Sequence, residues 1–189
     1  MKLGIFGGSF NPVHIGHLLV AEDIIEKLEL DKIIFIPAFR PPHKAQLLSF
    51  EQRWKMLKLA IEKNPLFERS NIEKKRGGKS FTIDTLRELK MKYPKDQLYF
   101  IMGTDQYAEL SSWKEPNRLF GIAKIAVIQR PGFPKEKFGT QKPAFIEVIQ
   151  IDIASAEIRN RIRQNRSVRY MLPEKVRQYI IKNRLYLNA

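Results

Sequence analysis

Apolar positions in this chain change their period several times, and each change marks an element. Residues 2–7 (KLGIFG) form a short, mostly apolar run closed by Gly7-Gly8, which predicts a buried first strand. From residue 15 to 28, apolar side chains fall at Leu18, Leu19, Ala21, Ile24, Ile25 and Leu28, the spacing of an amphipathic helix. Residues 32–37 (KIIFIP) predict a second buried strand stopped by proline. Residues 50–61 predict a helix through Trp54, Leu57, Ala60 and Ile61, ended by Asn64-Pro65. A strand is expected over residues 67–73, and a helix over 82–93, opened by Thr/Asp-type capping residues. Residues 97–102 and 124–129 are expected as strands with a short helical stretch between them. A further strand is expected over residues 145–151, followed by helices from about Ser155 and Pro173.

Strands that are apolar almost throughout, alternating with amphipathic helices, require a parallel sheet covered on both faces. The expectation is one α/β domain over residues 1–189. It would be a Rossmann-like parallel sheet with helices on both faces and a helical carboxy-terminal portion. Ligands of such sheets bind beyond the carboxyl ends of the strands, so the loops after Phe6, Ile36, Met102 and Ile151 are the places to search.

Composition narrows the picture. With 189 residues, 43% of them hydrophobic, the chain can build a core without staples. Cysteine is absent, which excludes disulfides, thiolate nucleophiles and cysteine-ligated zinc. No apolar run nears the roughly 20 residues needed to span a bilayer, and Met1 leads into a strand without the pattern of a signal peptide. A cytoplasmic protein with no membrane partner is expected. Lys plus Arg number 34 against 20 Asp plus Glu, a net charge of +14, which implies anionic partners. Arg159, Arg161, Arg163, Arg166, Arg169, Lys175, Arg177, Lys182 and Arg184 face only Glu157 and Glu174 in the last stretch. On helix-like segments with interleaved apolar residues they read as a solvated face. A nucleic-acid-binding protein is therefore the weaker alternative, and the same field would draw a small phosphorylated substrate.

The first candidate loop reads Gly7-Gly8-Ser9-Phe10-Asn11-Pro12-Val13-His14-Ile15-Gly16-His17. Glycines directly after a buried strand let the backbone approach a ligand, and amides there can hold phosphate oxygens. His14 and His17, three apart at a helix start, can face one point, to which the helix adds partial positive charge. Gly16 removes a side chain that would crowd that point. The arrangement suits a triphosphate whose charge shifts during reaction. Two such histidines also fit a metal, but His43 is the only other histidine, so no protein-held metal is expected. The loop lacks both the Gly-Lys-Ser/Thr ending of a Walker loop and the GxGxxG of a dehydrogenase turn.

This stretch resembles the signature of nucleotidyltransferases that carry HxGH after their first strand. Ile153-Ala154-Ser155-Ala156-Glu157-Ile158-Arg159 is similar to their carboxy-terminal ISSTxIR motif, departing from it at Ala154 and Ala156, where hydroxyl residues are usual. Physically, Ser155 is expected to cap the helix and, with the first amides and Arg159, to hold ATP phosphates. Within that superfamily the chain resembles the bacterial nicotinate mononucleotide adenylyltransferases over nearly its whole length. Pro41-Pro42-His43-Lys44 looks like their PPHK loop, and Ser80-Phe81-Thr82-Ile83-Asp84-Thr85 like their SYTxDT segment. Gly103-Thr104-Asp105 with Leu110 and Trp113 is similar to GxD…L..W, and Arg130-Pro131-Gly132 to the RPG turn.

The resemblance implies transfer of AMP from ATP to nicotinate mononucleotide, giving deamido-NAD and pyrophosphate by direct in-line attack, with Mg²⁺ accompanying ATP. It implies an ATP site of Gly7, Gly8, Ser9, Phe10, His14, Gly16, His17, Asp105, Ser155, Ile158 and Arg159, with His14, His17 and Arg159 catalytic. Lys44, Thr82, Thr85, Trp113 and Arg130 would meet the mononucleotide, Trp113 stacking on its pyridine ring and amides near Thr82 holding its carboxylate. From the residues alone other readings stay open: core packing for Trp113, a helix cap for Asp105, solvated cations for Lys44 and Arg130. A related enzyme using nicotinamide mononucleotide or a phosphopantetheine is the alternative activity. Oligomeric state, a homo-oligomer included, is left open, and the loop over residues 38–48 is the candidate to close on substrate.

Overall fold

The computed structural model of the protein describes residues 1–42, 47–129, 142–149 and 151–187. Strand β1 (Lys2–Gly8) leads through a loop into helix α1 (Ile15–Leu28), and β2 (Lys32–Pro37) returns beside β1. Helix α2 (Phe50–Ile61), strand β3 (Phe67–Arg69) and helices α3 (Ile72–Arg76) and α4 (Thr82–Lys92) follow. Strand β4 (Gln97–Gly103) then pairs with the other side of β1. Beyond it come α5 (Thr104–Ala108), a 3-10 turn (Leu110–Ser112), α6 (Pro116–Ile122), β5 (Lys124–Ile128), β6 (Ala144–Ile146), α7 (Ser155–Arg163) and α8 (Glu174–Lys182).

The six strands are parallel in the order β3-β2-β1-β4-β5-β6. The winding reverses between β1 and β4, so their carboxyl ends flank the crevice where sheets of this kind take ligands. Alternate side chains of each strand feed two cores. Ile33, Phe35, Ile101, Ala126 and Ile128 pack with α1, α2 and α8 on one face. Ile34, Ile36, Leu98, Phe100, Ile125 and Val127 pack with α4 and α6 on the other. The open sheet with helices on both faces and the helical carboxy-terminal portion agree with the periodicity of the sequence.

Four local expectations need correction. The strand expected over residues 67–73 ends at Arg69, and Ile72 and Glu73 begin α3. Glu73 is buried there, its carboxylate accepting from the Phe39 N–H at 3.1 Å and the Thr85 hydroxyl at 2.8 Å. These inward bonds turn the chain out of the sheet. The strand expected over residues 145–151 is confined to Ala144–Ile146, and past it the Ile149 N–H bonds the Asp23 carboxylate on α1 at 2.7 Å instead of a strand neighbour. Helix α4 opens after Phe81 without a side-chain cap, so the Thr/Asp-type capping expected there is not formed. Ala154, not Ser155, holds the cap position of α7.

Candidate active site

The loop over residues 9–12 lies on the way from β1 to α1, and the Ser9, Asn11 and Pro12 carbonyls and Oδ1 of Asn11 all accept hydrogen bonds from elsewhere in the chain. It contains a cis Asn11-Pro12 bond and a positive φ of 45° at Phe10. Phe10 is itself fully buried, its ring against His17 with centroids 5.2 Å apart. Its side chain is therefore a support for His17, and its proposed contact with ATP falls to its backbone.

His14 and His17 come together as the spacing predicts. Their ring centroids lie 3.7 Å apart, and the His14 N–H donates to Nδ1 of His17 at 3.2 Å. Because Nδ1 of neutral His17 accepts, its proton sits on Nε2, leaving a donor on the far edge of the ring. The Ile15 N–H is spent on the Met171 carbonyl at 3.1 Å, and that of His17 on the His14 carbonyl at 3.0 Å. An anion at this helix start is met mainly by imidazole and by the helix dipole. A Cβ placed on Gly16 would stand 3.1 Å from Nδ1 of His14, so glycine here leaves room for that ring.

The two motifs read from opposite ends of the sequence touch directly. The Ser155 hydroxyl donates to the Pro12 carbonyl at 2.8 Å, and Nη1 of Arg159 donates to the Asn11 carbonyl at 2.8 Å. A guanidinium has five N–H donors, so one bond to the loop leaves Arg159 others for an anion. The serine hydroxyl has only one proton and gives it to the loop, so its help to a phosphate has to come from its amide in the first turn of α7. Ile158, expected near ATP, is fully buried in the core, and its amide donates to the Ala154 carbonyl at 3.1 Å. Its side chain seats α7 and does not face the crevice. Asp105 is the second residue of α5, at the carboxyl end of β4 and thus on the crevice; the helix cap is Gly103.

A second cluster joins the Thr82 and Trp113 regions. Nζ of Lys114 donates to both Asp84 carboxylate oxygens at 3.0 and 2.9 Å and stands over the Phe81 ring at 5.1 Å. Arg87 makes a paired contact with Glu115 at 3.1 and 2.7 Å, and this bond holds the Glu115 carboxyl below the usual glutamate range. These pairs bring the start of α4 beside Trp113, which is half-buried with its edge to Phe100 at 6.2 Å. A half-buried indole keeps part of its surface open, which is what stacking on a ligand ring needs. The uncapped first turn of α4 supplies amides, and Lys114 offsets the negative charge of Asp84 beside them. Thr85 does not belong to this surface: it is buried, donating to Glu73 and accepting from Nη2 of Arg76 at 3.1 Å. Its place is behind the site.

Glu73 and Ser80 also fasten the start of the loop that follows β2. Oγ of Ser80 accepts from the Phe39 and Arg40 amides at 2.9 and 3.0 Å, and the Ser80 N–H returns a bond to the Arg40 carbonyl at 2.9 Å. Lys44, His43 and Arg130 lie outside the described residues. Arg53 belongs to no motif, yet it is 1% exposed and charged, and donates from Nη1 to the Ser9 carbonyl at 2.8 Å. Its signal was present: it lies on the same helical face as Phe50, Leu57 and Ile61. Several basic residues near the carboxyl end are engaged by acidic neighbours, Arg161 by Glu157, Arg177 by Glu174 and Lys175 by Glu62. That pattern favours a solvated helical surface over a strip reserved for nucleic acid. Among the described residues no group of three His, Cys, Asp or Glu is placed to hold a metal ion, and no helix is long and apolar enough to cross a membrane.

Residues 5–165 match the cytidylyltransferase-like family. A Thermus thermophilus protein named probable nicotinate-nucleotide adenylyltransferase is 44% identical over 187 residues, covering 98% of this chain and 100% of its own. A protein of the same name from Geotalea daltonii is 42% identical over 212 residues, covering 98% of each. Among solved structures, Plasmodium falciparum nicotinic acid mononucleotide adenylyltransferase complexed with NaAD matches with a TM-score of 0.84 over 98% of this chain and 97% of that one. At 23% identity that match establishes the fold.

Proposed function

The chain belongs to the nicotinate-nucleotide adenylyltransferase family, and from that premise we propose how its residues move AMP from ATP to nicotinate mononucleotide. A 5′-phosphate oxygen of the mononucleotide attacks the α-phosphorus of ATP. The bond from that phosphorus to the bridging oxygen of the β-phosphate breaks, and pyrophosphate leaves as deamido-NAD forms. The attacking phosphate is already an anion near neutral pH, so no strong base is required. Positioning and stabilisation of charge carry the rate.

The observation that carries this reading is the meeting of the two motifs, with Ser155 and Arg159 bonded to the loop that leads to His14 and His17. His17, donating from Nε2, steadies charge on the transferring phosphate, with the neighbouring ring of His14 fixing its orientation. Arg159 and the first amides of α7 receive the β- and γ-phosphates. Gly7, Gly8 and Ser9 bring backbone close to the nucleotide, and Asp105, just beyond β4, accepts from ribose hydroxyls in this reading. Trp113 stacks on the pyridine ring, and the amides at Thr82 receive the nicotinate carboxylate, a group that only accepts hydrogen bonds. Lys44 and Arg130 are proposed to approach the phosphates. Mg²⁺ enters with ATP as part of the substrate, held by phosphate oxygens and water, as suits an ion that keeps much of its hydration. The reaction is assigned to the cytoplasm.

Pyrophosphate release with ATP and Mg²⁺, offered nicotinate mononucleotide, nicotinamide mononucleotide or 4′-phosphopantetheine separately, tests the reading. Release strongest with the nicotinate compound is expected. Preference for another acceptor would overturn the pocket assigned to Trp113 and Thr82, and silence with all three would overturn adenylyl transfer.

A further inference from the structure

The loop over residues 9–12 is held by two buried side chains that the proposed reaction does not use. Arg53 bridges two carbonyls, giving Nη1 to Ser9 at 2.8 Å and Nε to Leu48 at 3.0 Å. The Tyr186 hydroxyl donates to Oδ1 of Asn11 at 2.9 Å, and the Leu48 N–H donates to the same oxygen at 3.3 Å. Both side chains are in the interior, Arg53 at 1% and Tyr186 at 3% exposure. Burial disfavours the charged form of each, making the Arg53 guanidinium easier to deprotonate and the Tyr186 phenol harder to ionise.

These are costly ways to fill a core. A buried cation gives up hydration that a leucine or methionine would never need to replace. Tyr186 adds backbone strain, with φ at 66°, a region bulky residues rarely enter unless their surroundings compel it. Its ring would pack equally well as phenylalanine, so the hydroxyl is the part that requires explanation. Both residues converge on the same four-residue loop, two residues before His14. Arg53 also joins that loop to Leu48, the end of the segment that follows β2.

We infer that Tyr186 and Arg53 are positioning residues for adenylyl transfer, acting through Asn11 and Ser9 to fix the loop that delivers His14 and His17. The inference rests on the reaction assigned above. It makes the segment that follows α8 a working part of the site, through the bond from residue 186 to residue 11. Small misplacements of reacting groups are expensive, about a hundredfold for an ångström, so loosening the loop should show in turnover.

The test is steady-state pyrophosphate release by the full chain and by Tyr186→Phe, Asn11→Ala and the double variant, with folding checked by thermal melting. Tyr186→Phe should lower kcat about tenfold and leave KM for nicotinate mononucleotide within about twofold, and it should add little to the loss already caused by Asn11→Ala. A kcat within about twofold of the parent, a parallel rise in KM, or a loss that multiplies fully on the Asn11→Ala background would overturn the inference. If Tyr186→Phe does not fold, Arg53→Lys decides by the same limits on kcat and KM, since lysine keeps the charge but not the planar fork that reaches two carbonyls. A parent without turnover overturns adenylyl transfer and this inference together. An active parent with an equally active Tyr186→Phe overturns this inference alone.

Discussion

His14 donates its backbone N–H to Nδ1 of His17 at 3.2 Å while the two rings lie tilted by 40° with centroids 3.7 Å apart. One residue thereby sets both the tautomer and the tilt of the other. His17 becomes a donor from Nε2 without needing a positive charge. Replacing it by alanine removes that donor and leaves the His14 amide to water. Turnover in His17→Ala should fall about 10²-fold or more, the usual loss when one preorganised donor to a transition state is removed. His17→Asn, which can still present an N–H, should recover part of the loss. Near-normal pyrophosphate release by His17→Ala would refute the role.

Trp113 should act on binding and not on chemistry. Its edge packs on Phe100, and the Asp84–Lys114 pair keeps the start of α4 at its side. Trp113→Ala should raise KM for the mononucleotide about tenfold to a hundredfold, in line with ring-stacking losses of about 1–3 kcal/mol, with kcat at saturation changing far less. Trp113→Phe should retain most of the affinity. Unchanged KM in the alanine variant would return Trp113 to ordinary packing against the core.

The long regular elements were legible in the sequence because their periods were unbroken. Helices Ile15–Leu28 and Phe50–Ile61 and strand Lys32–Pro37 begin and end where the apolar spacing and the prolines say they should. The boundary after Arg69 was not legible, because Phe67, Ile72 and the residues between them suit a strand as well as a turn. The deciding partner, Thr85 on α4, lies twelve residues beyond Glu73. The site divides along the same line. His14, His17 and Arg159, to which the proposed chemistry is assigned, stand in motifs and could be named from them. Arg53 and Glu73 hold other residues' backbone and Tyr186 holds the Asn11 side chain, and a single chain of letters does not say which partner a buried polar group will find. Ser155 shows the mixed case: the motif located it, and only the structure reveals that its hydroxyl belongs to Pro12.

Acid should spare the start of α8 longer than most of the surface. The Arg177 hydrogen bond, helped by Gln178, lowers the Glu174 carboxyl from its ordinary 4.5 to about 2. A depressed carboxyl stabilises the folded state fully above its unfolded value and loses that contribution as pH falls through the folded value. The window for Glu174 therefore runs from about pH 4.5 down to about 2. Carboxyl-carbon NMR titration should give a midpoint near the lower figure, moving back toward 4.5 in Arg177→Ala. A midpoint already near 4.5 in the parent would show that the pair does not persist in solution.

Gly16→Ala separates stability from activity. Gly16 is the second residue of α1, where alanine is intrinsically favoured over glycine by about 1 kcal/mol. Helix propensity alone would make the variant more stable. The new Cβ, however, would lie 3.1 Å from Nδ1 and 3.2 Å from Cε1 of His14, and 3.6 Å from Cγ1 of Ile151. The first two separations are tighter than ordinary van der Waals contact, so the His14 ring has to yield by a few tenths of an ångström. That ring is buried with its centroid 3.7 Å from that of His17, so it cannot yield without disturbing that partner. The variant should melt within a few degrees of the parent while its kcat falls about tenfold. Full activity in a folded Gly16→Ala would mean that the position of the His14 ring does not govern turnover. A large drop in melting temperature would mean instead that the strain spreads into the core and is not confined to the site.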